Sequence, residues 1–306
     1  MAHFLDNRVA VITGSGQGVG RAIAITMARE GARVITNNRW RGTPGGDAET
    51  TAREIIDMGG QAVPFFGDVS NFGVARQLIQ TAVDNFGRLD ILVNNAGILG
   101  RYNMIWDTTE EDWDKCVGIS LKGSFNCISH ASGLMRQQRW GRIINTTSMN
   151  AFGGYGISPY CAAKAGVIGL TKAVAWELGT YGITCNCYGP TTRTRFSTGE
   201  ERETRLKKLC QVGLITEEQY REQTTQSAPE RAAAPLVAYL CTDEAANING
   251  QSFRVKWGIV SFYSEPAEEK SIAKEEGPWT IAELMELVPK ALLVRHENPA
   301  PLRPDV

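Results

Sequence analysis

Val9-Ala10-Val11-Ile12-Thr13-Gly14-Ser15-Gly16-Gln17-Gly18-Val19-Gly20-Arg21 is the stretch whose reading sets the fold. An apolar run bounded by glycines reads as a buried strand. The segment that follows, Ala22-Ile23-Ala24-Ile25-Thr26-Met27-Ala28, reads as a helix. Strand, glycine turn and helix N-terminus together make an anion site, because free backbone N–H groups and the positive end of the helix dipole point at one place. Gly14, Gly18 and Gly20 would let the backbone approach a pyrophosphate closely. The spacing does not fit G-x-G-x-x-G, since position 19 is valine, and no Gly-Lys-Ser/Thr follows to make a P-loop.

Outward from this turn, strand and helix patterns alternate. Strands are expected over 8–13, 32–37, 61–66, 90–93, 141–147, 182–187 and 252–256, and helices over 18–30, 47–58, 71–86, 110–137, 158–179 and 229–241. That alternation implies a parallel sheet covered on both faces by helices. Ligands of such sheets bind beyond the carboxyl ends of the strands. Thr13, Asn38, Asp68, Asn94 and Ser148 all follow strands at that edge.

Composition excludes several classes. The 306 residues carry a net charge of −1, which points to neither nucleic acid nor an anionic membrane. No apolar stretch reaches the length of a membrane span, and residues 1–8 show no signal-peptide pattern. The seven cysteines lack zinc spacing and read as reduced thiols of a cytoplasmic protein. Cys185 and Cys187, on one probable strand, are expected to face opposite sides. The three histidines, His3, His130 and His296, have no evident partners, so neither a metal site nor a histidine triad is expected.

Tyr160-Cys161-Ala162-Ala163-Lys164 places a phenol and an ammonium four apart, on one face of the 158–179 helix. A phenol has a reference pKa of about 10. A neighbouring ammonium favours the phenolate and would lower that value. Such a pair can exchange a proton with a substrate oxygen. Ser148 stands shortly before the same helix.

Thr13 to Gly20, then Asn94-Asn95-Ala96-Gly97, then Ser148, then Tyr160 with Lys164 together resemble the short-chain dehydrogenase/reductase family over residues 5–258. The resemblance implies a single-domain α/β fold, a Rossmann-like doubly wound parallel sheet over residues 1–258, with a C-terminal extension over 259–306. It implies an oxidoreductase that moves a hydride between a nicotinamide cofactor and a secondary alcohol or ketone. Tyr160 would be the acid/base, Lys164 would lower its pKa and hold the nicotinamide ribose, and Ser148 would hydrogen-bond the substrate oxygen. The cofactor would lie along Gly14, Ser15, Gln17, Gly18, Val19, Gly20, Asp68, Val69, Asn94, Ala96, Gly97, Tyr160, Lys164, Pro190 and Thr192. Asn38 and Arg39 end the second strand. An acidic residue there would repel a 2′-phosphate, and this chain has none, so NADP is favoured, with NAD as the alternative. A homotetramer joined through the 110–137 and 158–179 helices is also implied.

Several positions depart from the family pattern. Ser148 lies one residue closer to the tyrosine than usual, and Thr147 would restore the spacing. Strand phase favours Ser148. Ser120 stands where the family carries an asparagine that positions a proton-relay water. Its hydroxyl can donate and accept but is shorter. Thr191 replaces a glycine after Pro190. Residues 191–227 correspond to a lid in the family, or to a solvated helix pair. Leu99, Met104, Trp106, Met149, Phe152, Tyr155 and Phe196 suggest a medium-sized hydrophobic or alicyclic substrate. A 3-hydroxyacyl-CoA substrate is the alternative, with Arg101, Arg193 and Arg195 near its phosphates. A non-catalytic dinucleotide-binding subunit is a further alternative, raised by Ser120 and Thr191. In the extension, Ile281, Leu284, Leu287 and Val288 recur at helical spacing before Pro289, so one helix docked on the core or on a neighbouring subunit is expected.

Overall fold

In a computed structural model, residues 3–191, 200–211, 213–225 and 229–295 are described. Val9 to Ile12 are wholly buried, and the strand they form, β1 (Val9–Ile12), lies third from one edge of an eight-stranded sheet. Alternate residues of β1 face opposite layers, as a strand period of two requires. Ala10 and Ile12 pack with Ile23 and Met27 of α1 (Gly18–Arg29), Ile55 of α2 (Ala48–Asp57) and Val237 of α9 (Ala234–Tyr239). Val9 and Val11 pack with Leu78 of α3 (Phe72–Phe86), Met135 of α5 (Gly123–Gln138) and Val174 of α6 (Ser158–Gly179). Two apolar layers therefore sandwich one sheet.

The other strands are β2 (Arg33–Asn38), β3 (Ala62–Phe66), β4 (Ile91–Asn94), β5 (Gly141–Thr146), β6 (Ile183–Thr191), β7 (Ser252–Lys256) and β8 (Ile259–Phe262), in the order β3-β2-β1-β4-β5-β6-β7-β8. The strands β1 to β7 pair in parallel. After β3 the chain crosses back to place β4 on the other side of β1, which opens a crevice at the carboxyl ends of those two strands.

Two elements differ from the expectations. The strand β8 runs antiparallel to β7, Val255 opposite Val260, so the hairpin continues the sheet past residue 258. The boundary expected at 258/259 falls inside that hairpin, and the first compact unit extends to Tyr263. Pairing with β7 decides this, and no periodicity in a four-residue strand could. The expected 110–137 helix is α4 (Glu110–Val117), a π-helical turn over Gly118–Lys122, and α5. Residues 191–227 contain α7 (Glu200–Gln211) and α8 (Glu217–Thr225), the helix pair of one of the two expected readings; Leu206 and Leu209 of α7 and Ile215 between the helices are buried together against Tyr155.

The second unit, from Ser264, holds α10 (Ile281–Leu287), capped reciprocally by Thr280 and Glu283. Ile281 and Met285 on it are 79% and 74% exposed. Among the described residues, no helix is long and apolar enough to cross a membrane, and no cluster could hold a metal ion.

Candidate active site

The glycine turn is stitched to β4 and β2 by side chains. The Thr13 hydroxyl accepts from the N–H groups of Asn95 and Ala96 at 3.0 and 2.9 Å. Asn95 Nδ2 donates back to the carbonyls of Thr13 and Gly14 at 3.0 and 3.1 Å. These contacts leave no room for side chains on the turn: a Cβ on Gly20 would stand 2.4 Å from Asn95 Nδ2, and one on Gly14 2.9 Å from Ala96 Cα. Gly14 and Gly18 also adopt φ of +64°, where glycine is favoured. A Cβ on Gly18 would meet nothing nearer than a Glu230 carboxylate oxygen at 3.4 Å, so this edge of the turn is open. Gln17, the N-cap of α1, makes no side-chain cap bond, and no acidic residue lies in the first turn. Gln17 Nε2 and Asn38 Oδ1 are buried without a hydrogen-bond partner. An uncapped helix N-terminus behind an open glycine, with buried polar atoms beside it, fits a dinucleotide pyrophosphate.

At the far end of this crevice the three expected catalytic groups meet. Ser148 follows β5 in an extended conformation; its hydroxyl accepts from Asn150 N at 3.2 Å and lies close enough to the Tyr160 phenol to lower its pKa. Thr147 is committed elsewhere: it is 1% exposed and donates to the Lys164 carbonyl at 2.9 Å. Lys164 is 3% exposed, and its Nζ donates to the Thr146 carbonyl at 2.7 Å. Burial lowers its pKa to about 8. Nζ lies 5.6 Å from the centre of the Tyr160 ring. The Tyr160 phenol is pushed up to about 12 by burial, partly offset by the neighbouring Ser148 hydroxyl. The expected lowering by Lys164 is absent because burial outweighs it and the ammonium is turned to Thr146. Tyr160 is thus neutral at pH 7, the form that donates a proton.

The π-helical turn carries Ser120 into this cluster. A turn of that type adds a residue to the helix and re-aims the side chains around it. Ser120 is 1% exposed. Its Oγ lies 3.3 Å from Ile98 N and 3.4 Å from Ile98 O. A Cβ on Gly97 would be 3.4 Å from both Ser120 Oγ and Lys164 Nζ, so the bare Gly97 Cα separates the two polar heads.

A family model described as short chain dehydrogenase matches residues 8–205. The chain belongs to the short-chain dehydrogenases. It is 38% identical to a 3-oxoacyl-[acyl-carrier-protein] reductase of Synechocystis over 84% of this chain and 99% of that protein. It is 40% identical to the BbsD subunit of (2S)-[(R)-hydroxy(phenyl)methyl]succinyl-CoA dehydrogenase of Thauera aromatica, over 61% of this chain and 73% of that one. A crystal structure of a short chain dehydrogenase from Mycobacterium avium superposes with a TM-score of 0.79 at 35% identity, covering 94% of this chain and 96% of that one.

In this short-chain dehydrogenase some expected cofactor contacts are spent inside the fold. Ser15 is fully buried: its N–H donates to the Asn37 carbonyl at 2.9 Å and its hydroxyl to the Ile12 carbonyl at 2.8 Å. Both of its donors are therefore unavailable to a phosphate. Asn94 is 3% exposed and donates to Asn145 Oδ1 at 2.8 Å, joining β4 to β5. Val69 is buried under Gly123, while its carbonyl accepts from Asn126 at 2.9 Å.

Arg39, expected to meet a 2′-phosphate, and the nearby Arg41 both have carboxylate partners. Arg39 pairs with Asp68 at 3.1 Å, and Arg41 with Glu49 at 2.9 Å. Arg39 and Asp68 line a cavity of about 640 Å³ with Ser70 and with Glu110, Asp114 and Lys115 of α4. Cys185 and Cys187 share a face, both beside Thr171, as residues two apart on a strand must. Thr192, Arg193, Arg195 and Phe196 lie outside the described residues.

Sequence reasoning missed Gly16 and the loop it packs on. A Cβ on Gly16 would stand 2.0 Å from Asn38 Oδ1 and 2.5 Å from the Asp47 backbone. Asp47 caps α2 and also accepts from Gly42 N at 2.8 Å, which closes the 42–47 loop against the glycine turn. The run Gly42-Thr43-Pro44-Gly45-Gly46-Asp47 was a legible turn signal.

Proposed function

We propose that the chain is an NADP-dependent reductase of a ketone, the 3-oxo group of an acyl thioester, working reversibly on the matching alcohol. The observation that carries the reading is the meeting of Ser148, Tyr160 and Lys164 beyond the ends of β5 and β6, on the crevice that begins at the glycine turn. The thioester assignment rests on the names of the relatives from Synechocystis and Thauera. Bound NADPH would supply the hydride. Ser148 and Tyr160 hold the carbonyl oxygen between two hydroxyls, and as negative charge grows there Tyr160 gives up its proton. The Lys164 ammonium, once turned from the Thr146 carbonyl toward that phenol, stabilises the phenolate left behind. Gly14, Gln17, Gly18, Val19 and Gly20 hold the pyrophosphate, Ala96 and Gly97 flank the cofactor beside β4, and Pro190 borders the nicotinamide.

The 2′-phosphate is assigned to Arg39, with Asn38 beside it. The Arg39–Asp68 pair is half-exposed. Such pairs are worth only ~0–1 kcal/mol, and a charge-assisted bond to phosphate ~1.5–3 kcal/mol. The phosphate therefore draws Arg39 away at little cost. Titrations should find NADPH bound more tightly than NADH. Arg39→Ala should weaken NADPH by roughly tenfold or more and leave NADH nearly unchanged, and adding Asn38→Asp should reverse the preference. Tighter binding of NADH by the native protein would remove the NADP assignment.

Ser120 is assigned to the proton path that resupplies Lys164, through a water beside Gly97. Ser120→Ala should slow turnover and displace the alkaline limb of its pH profile, without loss of cofactor affinity. Ser120→Asn adds volume in a site closed by Gly97 and Ile98, and overpacking of this kind costs ~1–3 kcal/mol. Its turnover should stay near or above native, at a lower thermal midpoint. Full activity and an unchanged profile in Ser120→Ala would take Ser120 out of the path.

A further inference from the structure

The eighth strand delivers a side chain to the substrate end of the site. It starts opposite Lys256 at Ile259 and returns along β7 to Phe262, opposite Phe253. The next residue, Tyr263, donates its N–H to the Ser252 carbonyl at 2.9 Å, which fixes its backbone to the start of β7. Its ring lies against that of Phe152, with centroids 5.0 Å apart and planes at 57°. This tilted arrangement suits the ring quadrupoles.

Phe152 ends the 3₁₀ turn Met149–Phe152, whose N-cap is Ser148 itself. The strand β6 passes just beneath: a Cβ on Gly189 would lie 3.3 Å from Ser148 Cα. The serine turn is therefore backed by β6 at Gly189 and by Tyr263 through its ring on Phe152. Phe152 and Met149 keep 67% and 48% of their surface exposed, and Tyr263 is half-buried with its phenol pushed up by burial. Apolar surface left open one turn from a reacting hydroxyl is surface that a substrate can cover.

Resting on the reading of Ser148 and Tyr160 as the carbonyl-binding pair, we propose that Phe152 and Tyr263 form an aromatic lip beside the substrate carbonyl. Tyr263 is the specificity-determining residue, favouring ketones that carry an aryl group over those with a short alkyl group. An aryl group packs against tilted rings with a gain beyond area burial that an alkyl group lacks, worth roughly two- to tenfold in affinity. Residues past the seventh strand thereby enter substrate selection.

The test compares ethyl benzoylacetate with ethyl acetoacetate, both 3-oxo esters, on the native full chain, Tyr263→Leu and Tyr263→Phe. KM and kcat are read separately with NADPH, and dissociation constants are measured calorimetrically with oxidised NADP present. The native protein is expected to bind the aryl ester more tightly. Tyr263→Leu should lower that preference two- to tenfold, in KM and dissociation constant rather than in kcat, and Tyr263→Phe should retain it. Phe152→Leu serves in place of Tyr263→Leu if the latter does not fold, with the same expected loss. A native protein without aryl preference overturns the proposal, as does a leucine variant that shifts both esters together or neither, or loss of the preference in Tyr263→Phe. Failure of the native protein to reduce either ester would count against the reductase reading instead. The dissociation constants would still decide the lip.

Discussion

Tyr160→Phe is expected to lower turnover by ~10²–10⁴-fold, the range for a positioned proton donor. The ring and its place on α6 remain, so only the hydroxyl is lost, and with it the proton donor beside Ser148. Cofactor affinity should barely change, because Lys164 is held by the Thr146 carbonyl and not by the phenol. The pH profile supplies an independent mark. Burial lowers Lys164 to about 8, so native kcat/KM for reduction should fall as pH rises through that value and the ammonium is lost. The stability linkage has the opposite sign. Between about 8 and the ordinary lysine value of 10.5, the unfolded chain binds a proton that the folded one lacks, so this group adds stability as pH rises there. Steady-state kinetics of the phenylalanine variant, with the chemical step limiting, checks the first expectation. Near-native turnover would dismiss Tyr160 as the acid.

Gly20→Ala is the second large effect. Its Cβ would lie 2.4 Å from both Asn95 Nδ2 and the Gly14 carbonyl oxygen, and 3.0 Å from the Gly14 carbonyl carbon. Real Cβ atoms do not approach so closely, and one of these groups is backbone. The turn must move off β4, which breaks the Asn95 bonds to Thr13 and Gly14. Forcing an extra carbon into a packed site costs ~1–3 kcal/mol, and each buried hydrogen bond left unmade adds ~1–3 kcal/mol. A lower thermal midpoint and strongly weakened binding of NADPH should appear together. Gly18→Ala is the control for the midpoint alone, since nothing would crowd a Cβ there and only its φ of +64° opposes a side chain. An unchanged midpoint and affinity in Gly20→Ala would refute the stitched-turn account.

Much of this architecture was legible because buried parallel strands and amphipathic helices repeat at fixed periods. The 158–179 helix and the 252–256 strand have the expected bounds, and the other parallel strands fall within a residue of theirs except β6, which runs four residues further. The meeting of Ser148, Tyr160 and Lys164 was legible from motif order. What was not legible depends on partners far away in sequence. Ser15 looks like a phosphate ligand until Ile12 and Asn37 are seen to take its hydrogen bonds. Arg39 reads as a free cation until Asp68 is beside it. The short strand β8 exists through pairing with β7, which carries Tyr263 to Phe152. The π turn at Ser120 left no mark in apolar spacing, since one extra residue inside a long helix shifts the pattern only slightly.

The most direct measurement of the central claim follows the hydride itself. NADPH carrying deuterium in turn at each C4 position is incubated with the native protein and a 3-oxoacyl thioester, and the product is analysed by mass spectrometry and NMR. The account predicts deuterium on the carbinol carbon from one of the two labelled cofactors, and its near-absence with Tyr160→Phe over the same interval. Tight binding of NADPH with no deuterium transferred to a thioester or to any ketone of a broad panel would contradict it, and would leave a dinucleotide-binding subunit without chemistry of its own.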